Sequence, residues 1–130
     1  MQQVYDFIKK AGTYFLATTE DGQARVRPFG TINLYNNKIY FMTNKVKAVS
    51  HQLHSNPRLE LCTLYDGRWL RLEATAVEDN SLDAKLDMLT SYPELMESFP
   101  ADSENTELWF LRNVNAVFYS FNDPPELHKF

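Results

Sequence analysis

The stretch RLELCTLYDGRWLRLEATAV, residues 58–77, decides the architecture. Arg58 to Tyr65 alternates, Asp66-Gly67 breaks the run, and Arg68 to Val77 alternates again. Alternation on both sides of an Asp-Gly pair marks a β-hairpin, because that pair accepts the positive φ values of a two-residue turn. In the second arm Leu70 and Leu72 share one face, and Trp69 and Arg71 share the other. An indole beside a guanidinium on an outer strand face suits a flat heteroaromatic ligand. It equally suits packing against a neighbouring strand.

The same grammar runs outward in both directions. Upstream, Thr13 to Thr19 is β-branched and aromatic, Glu20-Asp21-Gly22 turns, and Gln23 to Leu34 follows. There Ala24 and Val26 lie on one face and Arg25 and Arg27 on the other, until Pro28 and Gly30 interrupt the strand. Asn36-Asn37 is a further turn, leading into a strand over Lys38 to Met42. Helical spacing appears at residues 2–11 (Val4, Phe7, Ile8), which Gly12 stops, and at residues 45–55 (Val46, Val49, Leu53), which Ser55-Asn56-Pro57 stops. Residues 81–92 read as a third helix with a Leu82, Leu86, Leu89 stripe and Asn80 or Ser81 as cap. A short helix follows Pro93, then strands at Leu108 to Leu111 and Ala116 to Phe121, then an extended tail from Pro124-Pro125. About seven strands in successive hairpins predict a mainly β, α+β chain, a single domain over 1–130, curled into a small antiparallel barrel.

Bulk properties narrow the function. The chain is 44% hydrophobic and 23% charged, which is ordinary for a globular domain. Its net charge of −4 divides unevenly: residues 1–72 hold ten Lys/Arg against five Asp/Glu, and residues 73–130 hold three against twelve. An acidic total argues against a general nucleic-acid binder. The basic half is either chance or the surround of a local anion site. The single cysteine, Cys62, allows no internal disulfide and no zinc site built on paired thiolates, and reads as a small core residue. No basic-then-apolar leader and no run of about 18 apolar residues appears, so a cytoplasmic protein with no membrane span is expected.

The stretch IYFMTNKVKAVSHQL, residues 39–53, carries the chemistry. A strand ends at Thr43-Asn44 and a helix begins within two residues, gathering free N–H groups and the positive end of the helix dipole. Lys45 and Lys47 add positive charge where the dipole alone favours acids. Either an anion such as a phosphate completes the junction, or both lysines are solvated and Asn44 is only a cap. The two arginines of RVRPFG (residues 25–30) likewise face solvent or meet an anion or an electron-rich ring. His51 and His54 have a spacing that can chelate a metal, but no third ligand is evident, so a solvated helix face and no metal site are expected. Glu94, Glu97, Asp102, Glu104 and Glu107 read as an acidic solvated surface, and Trp109-Phe110-Leu111 as interior on one face and interface on the other.

The ordered series VRPFG, YFMTNKVKAVSHQL, SNPRLEL and GRWLRLEATAV resembles the pyridoxamine-5′-phosphate-oxidase-like split-barrel family, especially its short nitroimidazole-resistance and general-stress members. The resemblance extends through YPELMESF to FYSF. It implies an FMN-binding antiparallel split β-barrel, working as a homodimer with flavin at the subunit interface. By position, Arg25, Val26, Arg27 and Pro28 match the strand along the isoalloxazine edge and ribityl chain. Thr43, Asn44 and Lys47 match the phosphate-holding turn and helix start, with Lys45 a lesser match, and Trp69 matches a flavin contact from the same subunit. The resemblance further implies an FMN-dependent oxidoreductase acting on a small electrophile, such as a nitroaromatic or a quinone, with Arg25 or Arg27 favouring the reduced, anionic flavin. No catalytic acid, base or nucleophile is assigned. A non-catalytic flavin-binding redox module, or a haem or deazaflavin binder, uses the same fold, with His128 as the histidine considered for haem. Two departures are plain. The oxidases have an Arg-Lys pair where this chain has Ala48-Val49, and they end in a basic segment where this chain reads DPPELHKF. Pyridoxamine phosphate is therefore not the expected substrate.

Overall fold

The computed structural model describes residues 1–130. Helix α1 (Gln2–Ala11) buries Val4, Phe7 and Ile8 and ends at Gly12, whose φ of +83° suits a residue without Cβ. Strands β1 (Tyr14–Glu20) and β2 (Gln23–Phe29) form the first hairpin. Strands β3 (Asn33–Tyr35) and β4 (Lys38–Asn44) form the second, and β5 (Arg58–Tyr65) with β6 (Arg68–Glu78) the third. Each turn is a residue pair with both φ values positive: Asp21-Gly22, Asn36-Asn37 and Asp66-Gly67.

With a long seventh strand, β7 (Thr106–Ser120), all strand pairs are antiparallel, in the order β2-β1-β5-β6-β7-β4-β3. The last third departs from the sequence reading. Leu108–Leu111 and Ala116–Phe121 belong to one strand, β7, in which Asn113 takes φ +54° and the register against β6 shifts between Glu73 and Thr75. An extra residue kinks a strand without ending it. The tail carries an eighth strand, β8 (Glu126–Lys129), paired to β7.

Two cores result. The inner faces of the strands, with α1 and helix α2 (Ala48–Ser55), enclose a large cluster including Tyr14, Leu16, Phe41, Leu61, Leu72, Trp109 and Phe118. On the other face of β4, Tyr40 and Met42 pack under helix α3 (Leu82–Ser91) against Ala84, Met88 and Leu89. The run Ile39-Tyr-Phe-Met42 is continuously apolar because both faces of this strand are covered. Ser81 caps α3, but the helix is turned from the expected stripe: Leu82 and Leu86 are exposed, and Ala84, Lys85, Met88 and Leu89 face inward. A single turn of 3-10 helix follows Pro93.

The sheet closes without a full ladder. Beyond the β3–β4 pairs, the Thr31 hydroxyl takes the place of a strand, accepting from Met42 N at 3.1 Å. Side-chain bonding in place of backbone bonding leaves a split between the end of β2 and β4. The candidate site lies in that split.

Candidate functional site

A cleft of about 490 Å³ opens between residues Arg27–Thr31, Met42 and Thr43 of β4, the start of α2 at Lys47–Val49, and Phe99. Its size lies within the range of small-molecule sites, about 300–1,000 Å³. Arg27, Pro28, Thr43 and Lys47 are brought together here from three elements separated in sequence.

Arg27 is held in place by its neighbours. Its Nη1 donates to Leu16 O (3.1 Å) and Thr18 Oγ1 (2.8 Å), and its Nη2 donates to Gln52 Oε1 on α2. All three acceptors are neutral, and Arg27 enters no ion pair. Partial burial pulls its pKa below the ordinary guanidinium value. The result is a fixed positive charge with no counter-ion beside the cleft, the arrangement that attracts an anion. Arg27 thus turns inward, whereas Arg25 stays at the surface, 3.3 Å from Glu20.

The strand–helix junction differs from the expected one. The helix begins at Ala48, and Lys47 is its N-cap, so Lys45 and Lys47 precede the first turn and Val46 is exposed. Asn44 does not cap the helix; its Oδ1 accepts from Val46 N at 3.1 Å and shapes the turn. No side chain caps α2. Its leading N–H groups are therefore open to a ligand. Lys47 lines the cleft beside them and has no carboxylate partner.

The remaining expected residues lie elsewhere within this chain. Arg25, Val26 and Asn44 do not line the cleft. Trp69 sits on the outer face of β6, stacked on Tyr119 at 5.5 Å and touching Phe121. A second groove of about 590 Å³ crosses β1, β5, β6 and β7, lined by Arg58, Glu60 and Glu73. Its paired acids suit a phosphate poorly.

A second polar cluster was missed in the sequence. His54 lies on α2 as expected, but its partners are acids rather than His51. His54 Nε2 stands 2.9 Å from Glu78 Oε1 and 3.8 Å from Glu107 Oε2. Glu107, read as solvated surface, is fully buried, and accepts from Ser50 Oγ (3.1 Å) and Trp109 Nε1 (2.6 Å). Burial lowers the imidazole pKa, but bonds to Glu78 and the Ser50 carbonyl and the charges of both glutamates outweigh it, so the net shift is upward. The missed signal was strand period: Glu107, Trp109 and Leu111 share one face of β7, so Glu107 had to be inside. Cys62 is a smaller correction, half-buried on the outer face of β5 rather than in the core.

A family model described as pyridoxamine 5′-phosphate oxidase matches residues 1–112. No curated protein matches the chain. Among solved structures, a NimC/NimA family protein from Clostridium acetobutylicum is similar over 100% of this chain and 92% of its own, at 27% identity and TM-score 0.96. General stress protein 26 from Bacillus anthracis is similar over 99% and 98%, at 12% identity and TM-score 0.76. HutZ, the haem storage protein of Vibrio cholerae, is similar over 87% and 91%, at 14% identity and TM-score 0.69. No helix is long and apolar enough to cross a membrane. With most of its length matched by the family model and its split-barrel fold shared over the whole chain with the NimC/NimA family protein, the chain belongs to the pyridoxamine 5′-phosphate oxidase family.

Proposed function

We propose that the cleft holds the phosphate end of FMN and that the protein is an FMN-dependent oxidoreductase acting on a small electrophile, nitroaromatic or quinone-like. The observation that carries the reading is the convergence of Arg27, Lys47 and the uncapped start of α2 on one cleft, with no carboxylate paired to either cation. A dianionic phosphate is the complement of such a site. FMN, when bound, supplies hydride or electron transfer.

The protein's share of the work follows from its own residues. Lys47, the Thr43 hydroxyl and the N–H groups at the start of α2 bind the phosphate, with Asn44 holding the turn. Arg27, oriented by Thr18 and Gln52, adds a fixed positive charge to the same cleft. Arg25, Val26 and Pro28, on the exposed strand β2, run beside the ring and ribityl chain. A second copy of the chain completes the site. Residues Gln23 to Val26 of strand β2 are exposed on both faces, and Phe15 and Leu64 are exposed on neighbouring strands, so a homodimer gives these residues a partner. Trp69 does not line the cleft, and its flavin contact within the same subunit is the part of this reading with least support from the geometry.

The haem storage neighbour supports a second reading, but no histidine lines the cleft, and His128 lies on β8, bonded to Glu126. Absorption spectra before and after loading with FMN and desalting test the choice. Flavin bands near one equivalent per chain, followed by repeated reduction by NAD(P)H and reoxidation by a nitro compound, are the expected result. Retained flavin without turnover would leave a redox-binding module, a Soret band would bring haem forward, and a protein that cannot be loaded would remove the proposal.

A further inference from the structure

We propose that His54, Glu78 and Glu107 form a binding site for one first-row divalent transition-metal ion. The inference is independent of the flavin reading. The ligand atoms are one imidazole nitrogen and two carboxylate oxygens, all within 4.8 Å of one another. Ligands about 2.0–2.1 Å from a tetrahedral ion stand about 3.4 Å apart. The separations of 2.9 Å and 3.8 Å from His54 Nε2 bracket that value, and the two carboxylate oxygens lie within 4.8 Å of each other, so an ion fits once the side chains close around it.

Charge balance points the same way. Glu107 is fully buried, and its hydrogen-bond donors, Ser50 and Trp109, are both neutral. A buried carboxylate needs a cation. The one cationic group within 4.0 Å is the His54 imidazole, which Glu78 shares, so a proton on His54 leaves two negative charges facing one positive. A divalent ion with neutral imidazole and two carboxylates sums to zero.

The surroundings are those of a metal centre. His54 Nδ1 lies 2.8 Å from Ser50 O, so an Nδ1 proton is held there and Nε2 is aimed at the two acids. Asn80 Nδ2 donates to the other oxygen of Glu78, and Trp109 donates to the other oxygen of Glu107. Each ligand is thus oriented by a group that is not itself a ligand. The His54 side chain is about half exposed, which gives an ion entry and leaves room for a water ligand. An N,O,O donor set suits Zn²⁺, Co²⁺ or Mn²⁺ over Mg²⁺ and Ca²⁺, which take oxygen ligands alone. An ion here would fasten α2, which also supplies Lys47–Val49 to the cleft, to β6 and β7.

The test is equilibrium dialysis of the full chain against Zn²⁺ and Co²⁺ in a chelator-free buffer, with visible absorption recorded for Co²⁺. Near one ion per chain is expected, with d–d bands for Co²⁺, unaffected by a large excess of Mg²⁺. His54→Gln and Glu78→Gln, both at part-exposed positions and checked for folding by circular dichroism, should each abolish uptake. His51→Gln should leave it intact, and Ser50→Ala should weaken it about ten- to hundredfold. Absence of uptake, or uptake unchanged in His54→Gln and Glu78→Gln, would overturn the site and leave the cluster as an ion-pair network.

Discussion

Strands β2 and β4 face each other across the cleft and could hardly differ more. Five consecutive residues of β4, Ile39 to Thr43, are buried, with the barrel core on one face and α3 on the other. No residue of β2 is buried, and Val26 is 67% exposed. One strand is held by packing on both faces, while the other is held by its hairpin to β1, by Arg27 reaching back to Leu16, Thr18 and Gln52, and by Phe29 at its end against Tyr14 and Phe41. The contrast separates a covered strand from an open one: β4 fixes the position of Thr43, and β2 leaves most of its side chains exposed.

The largest expected effect lies on β4. Phe41→Ala removes a ring that is 1% exposed and should cost about 3–5 kcal/mol in urea denaturation. Val26→Ala on β2 should stay within about 0.5 kcal/mol. Equal losses would erase the contrast.

Tyr40→Phe sharpens it. The Tyr40 hydroxyl donates to Asp79 at 2.8 Å, a bond to a charged group worth about 1.5–3 kcal/mol. Burial raises the Asp79 pKa, but the bonds from Tyr40 and Ser81 outweigh it and the net shift is downward. A carboxyl depressed in the folded state stabilises above its unfolded pKa and loses that contribution as pH falls through the folded value. The gap between wild type and Tyr40→Phe should therefore be full at pH 7 and shrink below about pH 4. A gap independent of pH would show that the carboxylate is not the acceptor.

Two smaller effects belong to the exposed side. Val26→Glu should leave unfolding within about 0.5 kcal/mol of wild type but move gel-filtration elution towards monomer at low concentration. Unchanged elution would place the partner elsewhere. Cys62, whose thiol is pushed up by burial, should alkylate several-fold more slowly at pH 7 in the folded than in the unfolded protein. Equal rates would mean that the outer face of β5 is fully open.

Legibility in the sequence followed the same division. The hairpins could be read because Asp-Gly and Asn-Asn pairs impose their own backbone geometry, whatever the rest of the chain does. The strand over Lys38 to Met42 was equally plain, though its burial on both faces was not. Other features depended on tertiary neighbours. Val46 fitted a helical period, yet the Asn44 turn delays the helix to Ala48, which moves Lys47 to the cap. Leu82 and Leu86 suggested a buried stripe, but the space beneath α3 is filled by Tyr40 and Met42 and admits Ala84 and Met88. Arg112-Asn113 resembled a loop because a kink within a long strand uses the same polar residues as a turn. In the site, residue types pointed to an anion, but only the fold shows that Arg27 lacks a counter-ion, whereas the burial of Glu107 was already implicit in the period of β7.

The most direct test of the central claim compares FMN with riboflavin, which differ only by the phosphate, in binding to wild type and Lys47→Ala. Flavin fluorescence titration should show FMN bound at least tenfold more tightly than riboflavin by wild type, with most of that preference lost in Lys47→Ala while riboflavin affinity is unchanged. Equal affinity of wild type for the two flavins, or an undiminished preference in Lys47→Ala, would contradict a phosphate site at the start of α2.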